Sequence, residues 1–151
     1  MTRRLSSRYD SADASPGFLL WRVTNRWQAA IRAALAPHDL THVQFVLLAA
    51  LAWSDAEDGM TQAALSRLVR VDPMMTSQVL RALEGKGLVE RRPAPHDRRA
   101  IVVAATSAGA AVVNAANAAV EAADAEFFGA DATRPRTLVE HLGRLDEAAE
   151  G

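Results

Sequence analysis

Two groups of side chains in the middle of the chain could bind a nucleic acid. The first group follows Pro73 and combines short hydrogen-bonding side chains with one cation: Met74, Thr76, Ser77, Gln78 and Arg81. Glutamine can bond adenine through two hydrogen bonds, serine and threonine bond bases or phosphates, and arginine bonds guanine or phosphate. The second group is the run His96, Asp97, Arg98 and Arg99. Arginine side chains in a loop suit the minor groove of DNA, where negative potential is concentrated.

Both groups have an ordinary alternative explanation, because a polar helix face or a charged turn can simply be solvated. If they bind DNA, the free N–H groups at the start of the helix that begins at Pro73 would favour a phosphate. Asp97 would repel DNA, so we expect it to hold a neighbouring arginine in place through a charge-assisted pair. Thr61 and Gln62, at the start of the preceding helix, complete the predicted interface.

A pair of short helices is predicted around the first group. Thr61 is a suitable cap for a helix over 61–70, and Asp72 followed by proline is a strong start for a second helix over 73–86. Gly87 suits the left-handed residue that ends a helix. The buried face of the second helix would contain Val79, Leu80 and Leu83.

A β-hairpin is predicted next, with strands over 88–92 and 100–105 and the second group of residues at its tip. The second helix would then fit the major groove while the tip reaches the neighbouring minor groove. The charge distribution agrees. Residues 61–103 contain eight Lys/Arg and four Asp/Glu, whereas 104–151 contain three and eight, within a chain of net charge −1.

Longer helices flank this central part. Apolar residues at every third or fourth position predict a helix over 16–36, and alanine-rich sequence predicts another that reaches about Phe128. A further helix begins near Pro135, with leucines at coiled-coil-like spacing. The fold class is therefore mainly α with a small β-hairpin wing. The predicted division is a mobile arm (1–15), a helical region formed by two separate stretches (16–36 and 106–149) and a DNA-binding lobe (37–105).

Another helix, predicted to begin after Thr41 and to precede the helix pair, is apolar on nearly every side. Thr41 and Gln44 have the spacing of a capping box, in which each side chain bonds the backbone of the other residue. The run VQFVLLAALAW follows, so we expect this helix to be buried by several neighbours. In the first helix, a narrower stripe is expected to face the core: Leu20, Val23, Trp27, Ile31 and Leu35.

Composition argues against several other functions. The chain has 151 residues and no cysteine, which excludes disulfides and thiolate metal sites. We see neither a membrane-spanning run nor a secretory signal, and expect a cytoplasmic protein with no membrane partner. His38 and His42 lie on opposite sides of a predicted helix start, so no metal site is expected. No catalytic motif is present, and we expect neither an enzyme nor a cofactor.

These residues resemble the MarR (multiple antibiotic resistance regulator) family of winged-helix repressors. The similar segments are GFLLWRVTNRW, LAPHDLTHVQFVLLAAL, TQAALSRLV, DPMMTSQVLRALEGKGLVERR and DRRAIVVAATSAG. The Asp-x-Arg signature of the family's wing falls on Asp97 and Arg99, and its following threonine and glycine match Thr106 and Gly109. The resemblance implies a ligand-responsive homodimer whose two winged helices bind a pseudopalindromic DNA operator. It also implies that 16–36 and 106–149 form a helical dimerisation region and that 37–105 is a winged helix-turn-helix DNA-binding lobe. One departure is Ala104-Ala105, where the family usually has a larger residue before the threonine.

The family's regulators generally sense a small molecule in a cleft between the dimer helices and the DNA-binding lobe. The side chains that could line such a cleft here are Trp21, Arg22, Trp27, His42 and Trp53. Aromatic walls with a few polar groups suit a phenolic or aromatic acid effector. The same tryptophans could instead pack the core or the dimer. For the whole protein, the alternative is a winged helix that binds a partner protein and not DNA, although such a module needs no arginine-tipped hairpin.

Overall fold

The chain folds into helices that surround one small sheet. The structure is a computed structural model that describes residues 5–54, 56, 58–129 and 133–148, without the side chains of 133 and 134. The helices are α1 (Pro16–Leu35), α2 (His42–Trp53), α3 (Gln62–Val69), α4 (Pro73–Gly85), α5 (Ser107–Phe128) and α6 (Thr133–Glu147). The strands are β1 (Met60–Thr61), β2 (Val89–Pro93) and β3 (Ile101–Ala105). The predicted mainly helical fold with a wing is confirmed.

The sheet has one strand more than the sequence predicts. β3 lies in the middle and pairs antiparallel with both β2 and β1. Met60 is opposite Val103 and Thr61 is opposite Val102. Because β1 has two residues, it carries no periodic signal in the sequence. It nevertheless joins the base of the wing to the start of α3.

α2 is the central helix of the core. Its capping box is confirmed: the Gln44 backbone N–H donates to Thr41 Oγ1 at 3.2 Å, and the Thr41 N–H donates to Gln44 Oε1 at 3.1 Å. α2 packs against α1, α3, α4, α5 and β3. Seven of its twelve residues are buried: Gln44, Phe45, Leu47, Leu48, Ala49, Ala50 and Leu51. The helix pair, the sheet and the long helices α1 and α5 therefore share one core.

Two apolar helix faces remain exposed in the single chain. In α1 the predicted stripe is buried at Ile31 and Leu35, but Leu20 is 58% exposed. The first half of α1 exposes Phe18, Leu19, Leu20, Trp21 and Val23. α6 exposes Val139, Leu142 and Leu145. Clustered apolar residues of this kind, rather than single ones, mark surfaces that bind another chain.

The segment before α1 makes local contacts with that helix. Residues 1–4 lie outside the described part of the chain. Within the rest, Ala12–Ala14 forms a 3-10 turn, and Asp13 accepts a hydrogen bond from Arg22 at 2.6 Å. Ser15 caps α1 by accepting from the Phe18 N–H at 3.4 Å.

A membrane-spanning helix was not expected from the sequence. Within the described ranges, no single helix is long and apolar enough to cross a membrane. The pair Pro16–His38 and His42–Trp53, bent by 77°, passes the same test by length and composition only. The second member of that pair is α2, most of whose apolar side chains are buried in the core.

Gly109, in the first turn of α5, lies directly against the backbone of Leu88. A Cβ atom built on Gly109 would overlap the Leu88 carbonyl oxygen and lie 2.9 Å from its carbonyl carbon. Backbone atoms cannot rotate away as a side chain can. The absence of a side chain at this position therefore lets the wing base approach the long helix.

We expect Gly109→Ala to destabilise the protein by about 1–3 kcal/mol, because the extra methyl group must displace backbone. At this chain length each kcal/mol lowers the melting temperature by roughly 2–4 °C. Gly85→Ala is the matched control, since a Cβ there meets nothing within 4 Å. Alanine is the better helix former, so the control should be neutral or slightly more stable. Equal melting temperatures for the two variants in differential scanning calorimetry would contradict the close contact.

Candidate nucleic-acid interface

α3 and α4 are joined by a tight turn that depends on local hydrogen bonds. Arg70 ends α3 in the left-handed conformation, with φ 52°. The Ser66 hydroxyl donates to the Val71 carbonyl at 2.6 Å, and the Val71 N–H donates to the Ser66 carbonyl at 3.2 Å. α4 begins two residues later, at Pro73. A left-handed arginine was not predicted, because a glycine is the usual signal for that conformation.

The start of α4 is capped by a carboxylate rather than left open for a phosphate. Asp72 Oδ1 accepts hydrogen bonds from the N–H groups of Met74 at 2.9 Å and Met75 at 3.1 Å. The expectation of free N–H groups at this helix start is therefore wrong. A negative charge already occupies the place where a phosphate would bind.

The outward face of α4 carries several of the predicted side chains. Met74 is 74% exposed, and Pro73, Gln78 and Arg81 are exposed as well. Ser77 is half-buried, and its hydroxyl oxygen accepts from Arg81 Nη2 at 3.3 Å. These residues present hydrogen-bonding groups and one cation on a single helix surface.

Thr76 does not belong to that surface. It is fully buried, and its hydroxyl donates to the Asp72 carbonyl at 3.0 Å. The prediction that Thr76 contacts DNA is wrong for this conformation, because its side chain points into the core with Leu80 and Leu83. Ser77 and Gln78, one and two residues farther along, turn toward solvent by helical geometry.

At the wing tip, Asp97 accepts hydrogen bonds from the backbone of the turn and not from an arginine side chain of any described residue. Its carboxylate accepts from the backbone N–H of Arg99 at 2.9 Å, and its carbonyl accepts from Ala100 N–H at 3.1 Å. No guanidinium of a described residue forms the expected pair with Asp97. His96, Arg98 and Arg99 are exposed.

A cleft between the wing and the helix pair brings Arg99 of the second group close to the starts of α3 and α4, whereas the first group, on the outward side of α4, does not line it. This cleft has a volume of about 330 Å³ and is lined by Thr61, Gln62, Ala63, Ser66, Arg67, Pro73, Arg99, Ala100 and Ile101. Thr61 caps α3, since its hydroxyl accepts from the Ala64 N–H at 3.1 Å. Gln62 Oε1 is buried without a hydrogen-bond partner in the described structure.

Ion pairing divides the cations of the basic central segment into two sets. One set is bound within the protein: Arg70 to Asp146 at 2.7 Å, Lys86 to Asp39 at 3.4 Å, Arg91 to Glu84 at 3.2 Å, and Arg92 to the Asp58 carbonyl at 2.7 Å. In the other set the guanidinium bonds no carboxylate and no backbone carbonyl of any described residue: Arg67, Arg81, Arg98 and Arg99. Arg67 was not predicted, although its place three residues before the helix end is compatible with exposure.

A second, larger cavity of about 660 Å³ lies between α1, α2, α3 and α5. It is lined by Trp27, His42, Phe45, Val46, Ala49, Ala50, Trp53, Ser54, Leu68, Val69, Asn117, Val120, Glu121 and Asp124. Trp27 Nε1 donates to Asp124 Oδ1 at 2.8 Å, and the Trp27 and His42 rings meet edge to face at 5.1 Å. Burial, with a smaller contribution from Arg32, lowers the pKa of His42, although Asp124 opposes the shift.

Three of the side chains predicted for an effector cleft line this cavity, and two do not. Trp27, His42 and Trp53 are present. Trp21 is 70% exposed and Arg22 pairs with Asp13, so both predictions are wrong for this cavity in the single chain. The polar residues Asn117, Glu121 and Asp124 were missed. Their spacing of four and three residues in an alanine-rich helix is the signal that could have revealed them.

A helix-turn-helix followed by an arginine-tipped wing defines a winged helix-turn-helix protein. Comparisons with known proteins agree with this class, since residues 40–101 match the model of the MarR family. The HTH-type transcriptional regulator YdcH of Bacillus subtilis is 42% identical over 125 residues, which cover 82% of this chain and 85% of the relative. The HTH-type transcriptional repressor Rv2887 of Mycobacterium tuberculosis is 36% identical over 136 residues, covering 87% and 95%.

Solved structures give the same result. Rv2887 in complex with DNA has a TM-score of 0.69 and 34% identity, with 88% of this chain and 98% of that chain covered. CouR from Rhodococcus jostii RHA1, bound to p-coumaroyl-CoA, has a TM-score of 0.79 and 26% identity, with 93% and 94% covered. The chain therefore belongs to the MarR family and is a DNA-binding transcriptional regulator rather than an enzyme.

We expect Arg99→Ala to weaken binding to a selected duplex by about 1–3 kcal/mol, or roughly 5- to 150-fold in Kd. The exposed guanidinium has no partner in the described structure, so its loss removes a contact to DNA and little else. Fluorescence anisotropy on a labelled duplex measures the change. Arg136→Ala, an equal change of charge on α6, is the control and should bind as the wild type does. A folded Arg99→Ala protein with unchanged Kd would contradict the role of the wing.

Thr76 and Gln78 lie two residues apart on α4, one buried and one exposed, so we expect their substitutions to have different effects. Gln78→Ala should lower affinity for the preferred sequence by about 1–3 kcal/mol per half-site and relax selectivity at one base pair. Thr76→Val keeps the volume but removes a buried hydroxyl, so it should lower thermal stability and leave sequence preference unchanged. Binding to a panel of single base-pair variants measures both. A changed base preference in Thr76→Val would show that the buried placement is wrong in the DNA-bound form.

Proposed function

We propose that this protein is a homodimeric, ligand-responsive repressor that binds a pseudopalindromic DNA operator. The observation that carries the proposal is the meeting of α3, α4 and the wing tip at one cleft, which is lined by Arg67 and Arg99, two arginines that make no ion pair with any described residue. Each protomer can place α4 in the major groove and Arg98 and Arg99 in the adjacent minor groove. The proposed interface leaves out the buried Thr76 and adds Arg67. The other predicted residues remain in it: Thr61, Gln62, Pro73, Met74, Ser77, Gln78, Arg81, His96, Arg98 and Arg99, with Asp97 shaping the turn at the wing tip.

The exposed apolar faces of α1 and α6 support the homodimer. Such faces cost free energy in water unless another chain covers them. Both faces are apolar, and they lie on the first and the last long helices of the described chain. The faces of one copy can therefore pack against those of a second copy. A dimer of this kind places its two α4 helices about one helical turn of DNA apart. We therefore propose an operator with two inverted half-sites.

The 660 Å³ cavity supports control by a small molecule. Its volume lies within the usual range for ligand sites, and its lining is mostly apolar with a few polar groups. Leu68 and Val69 of α3 form one wall, while Asn117 and Asp124 of α5 form another. A bound molecule would therefore lie between the DNA-binding helices and a helix of the proposed dimer. CouR, which is similar over nearly its whole length, is bound to p-coumaroyl-CoA.

Repression is supported by the relatives, since Rv2887 is named a repressor and has been solved with DNA. The alternative of a module that binds only another protein has no comparable support. Arg67, Arg81, Arg98 and Arg99, which make no ion pair with any described residue, would have no role in it.

Selection of duplexes from random DNA by the purified wild-type protein tests the proposal. The selected sequences should contain an inverted repeat with half-site centres about 10 bp apart or a multiple of that. On a selected duplex, log K should fall with log salt concentration with a slope of roughly −4 to −7, if most of the eight arginines of the dimer contact phosphate. Recovery of single, unrepeated sites, or affinity that does not change with salt, would contradict the proposal.

A further inference from the structure

The charged side chains that line the 660 Å³ cavity all have the same sign. Among the described residues that line it, those with a formal charge are Glu121 and Asp124, and both are carboxylates. Arg32 acts on His42 electrostatically but is not one of the lining residues. Arg22, the cation expected from the sequence, is occupied by Asp13. The cavity therefore offers no cation to an acidic ligand from its described lining.

Both carboxylates are held in place and keep one oxygen for a ligand. Asp124 Oδ1 accepts from Trp27 Nε1 at 2.8 Å, and Glu121 Oε1 accepts from Asn117 Nδ2 at 2.9 Å. The second oxygen of each has no hydrogen-bond partner in the described part of the chain. Because the two residues are three positions apart on α5, their side chains share one face of the helix.

The aromatic walls suit the same kind of ligand. The faces of tryptophan rings attract cations, and Trp27 and Trp53 both line the cavity. Trp53 is 77% exposed, which places a ring at the open side where a ligand can cover it. His42 has a lowered pKa, so near neutral pH it adds polarity without a positive charge that would compete with a cationic ligand.

We propose that the ligand of this cavity is an aromatic molecule with a positively charged amine, bound between Asp124 and Glu121 with its ring against Trp27 and Trp53. This replaces the aromatic acid expected from the sequence, because an acid would meet two carboxylates and no cation. The identity of the ligand as an effector rests on the proposed function, whereas its binding to the protein does not.

A matched series of three compounds tests the charge preference: 1-naphthylmethylamine, 1-naphthylmethanol and 1-naphthoic acid. They share one ring system and are cationic, neutral and anionic near neutral pH. We expect isothermal titration calorimetry on the wild-type protein without DNA to give a Kd for the amine about tenfold lower than for the alcohol. The acid should bind most weakly.

Two conservative variants locate the effect. Asp124→Asn and Glu121→Gln keep the shape and the hydrogen bonds to Trp27 and Asn117 but remove a charge. Each should reduce the preference for the amine over the alcohol to about threefold or less, with little change in alcohol binding. Glu126→Gln, the same change on an exposed residue of α5 that does not line the cavity, is the control and should keep the full preference.

Three results would overturn the inference: an acid that binds as tightly as the amine, a preference that survives both variants, or no binding of any of the three at millimolar concentration. DNA binding is measured separately, by anisotropy on a selected duplex. If the wild-type protein does not bind DNA, the proposed function is refuted, but the charge preference still stands. A preference for the acid with normal DNA binding would refute this inference and leave the proposed function standing.

Discussion

The side chain of Thr106 joins three parts of the molecule at one point. Its hydroxyl donates to the Gly87 carbonyl at 2.7 Å and accepts from the Gly109 N–H at 3.0 Å, while its backbone N–H donates to the Leu88 carbonyl at 3.0 Å. The turn after α4, the residue before β2 and the first turn of α5 are thereby connected. Because Gly109 has no side chain, the Leu88 backbone lies against the helix. These contacts hold the first turn of α5 directly against the end of α4 and the base of the wing.

Charge pairing determines which arginines remain for DNA. Net charge alone does not distinguish Arg91, whose guanidinium bonds Glu84, from Arg99, which has no partner among the described residues. The acidic C-terminal part contributes to this selection, because Asp146 of α6 binds Arg70 at the end of α3. Its carboxylate is thus paired with a cation of the helix pair. Exposed ion pairs of this kind contribute little stability, so their main effect here is on which charges face outward.

Local signals in the sequence predicted the helix starts well, because a cap depends on residues within three positions. The confirmed caps are Thr41, Thr61 and Asp72. Errors came where the answer depends on helical phase or on distant contacts. Thr76 differs from Gln78 by two residues and lies on the opposite side of α4, and Trp21 is similarly displaced from Trp27 on α1. β1 could not be predicted, because pairing with a strand some 40 residues later defines it. The hydrogen-bond partner of Asp97 could not be predicted, because it depends on the geometry of the turn.

α3 links the two candidate sites physically. Its first residues and Arg67 line the cleft beside the wing, whereas Leu68 and Val69 line the larger cavity. A helix of eight residues moves as one rigid body, since each residue is tied to the next turn by hydrogen bonds. A ligand that displaces the end of α3 must therefore also shift its start relative to α4 and the wing. By thermodynamic linkage, DNA that fixes α3 must weaken the binding of such a ligand by the same factor by which the ligand weakens the binding of DNA.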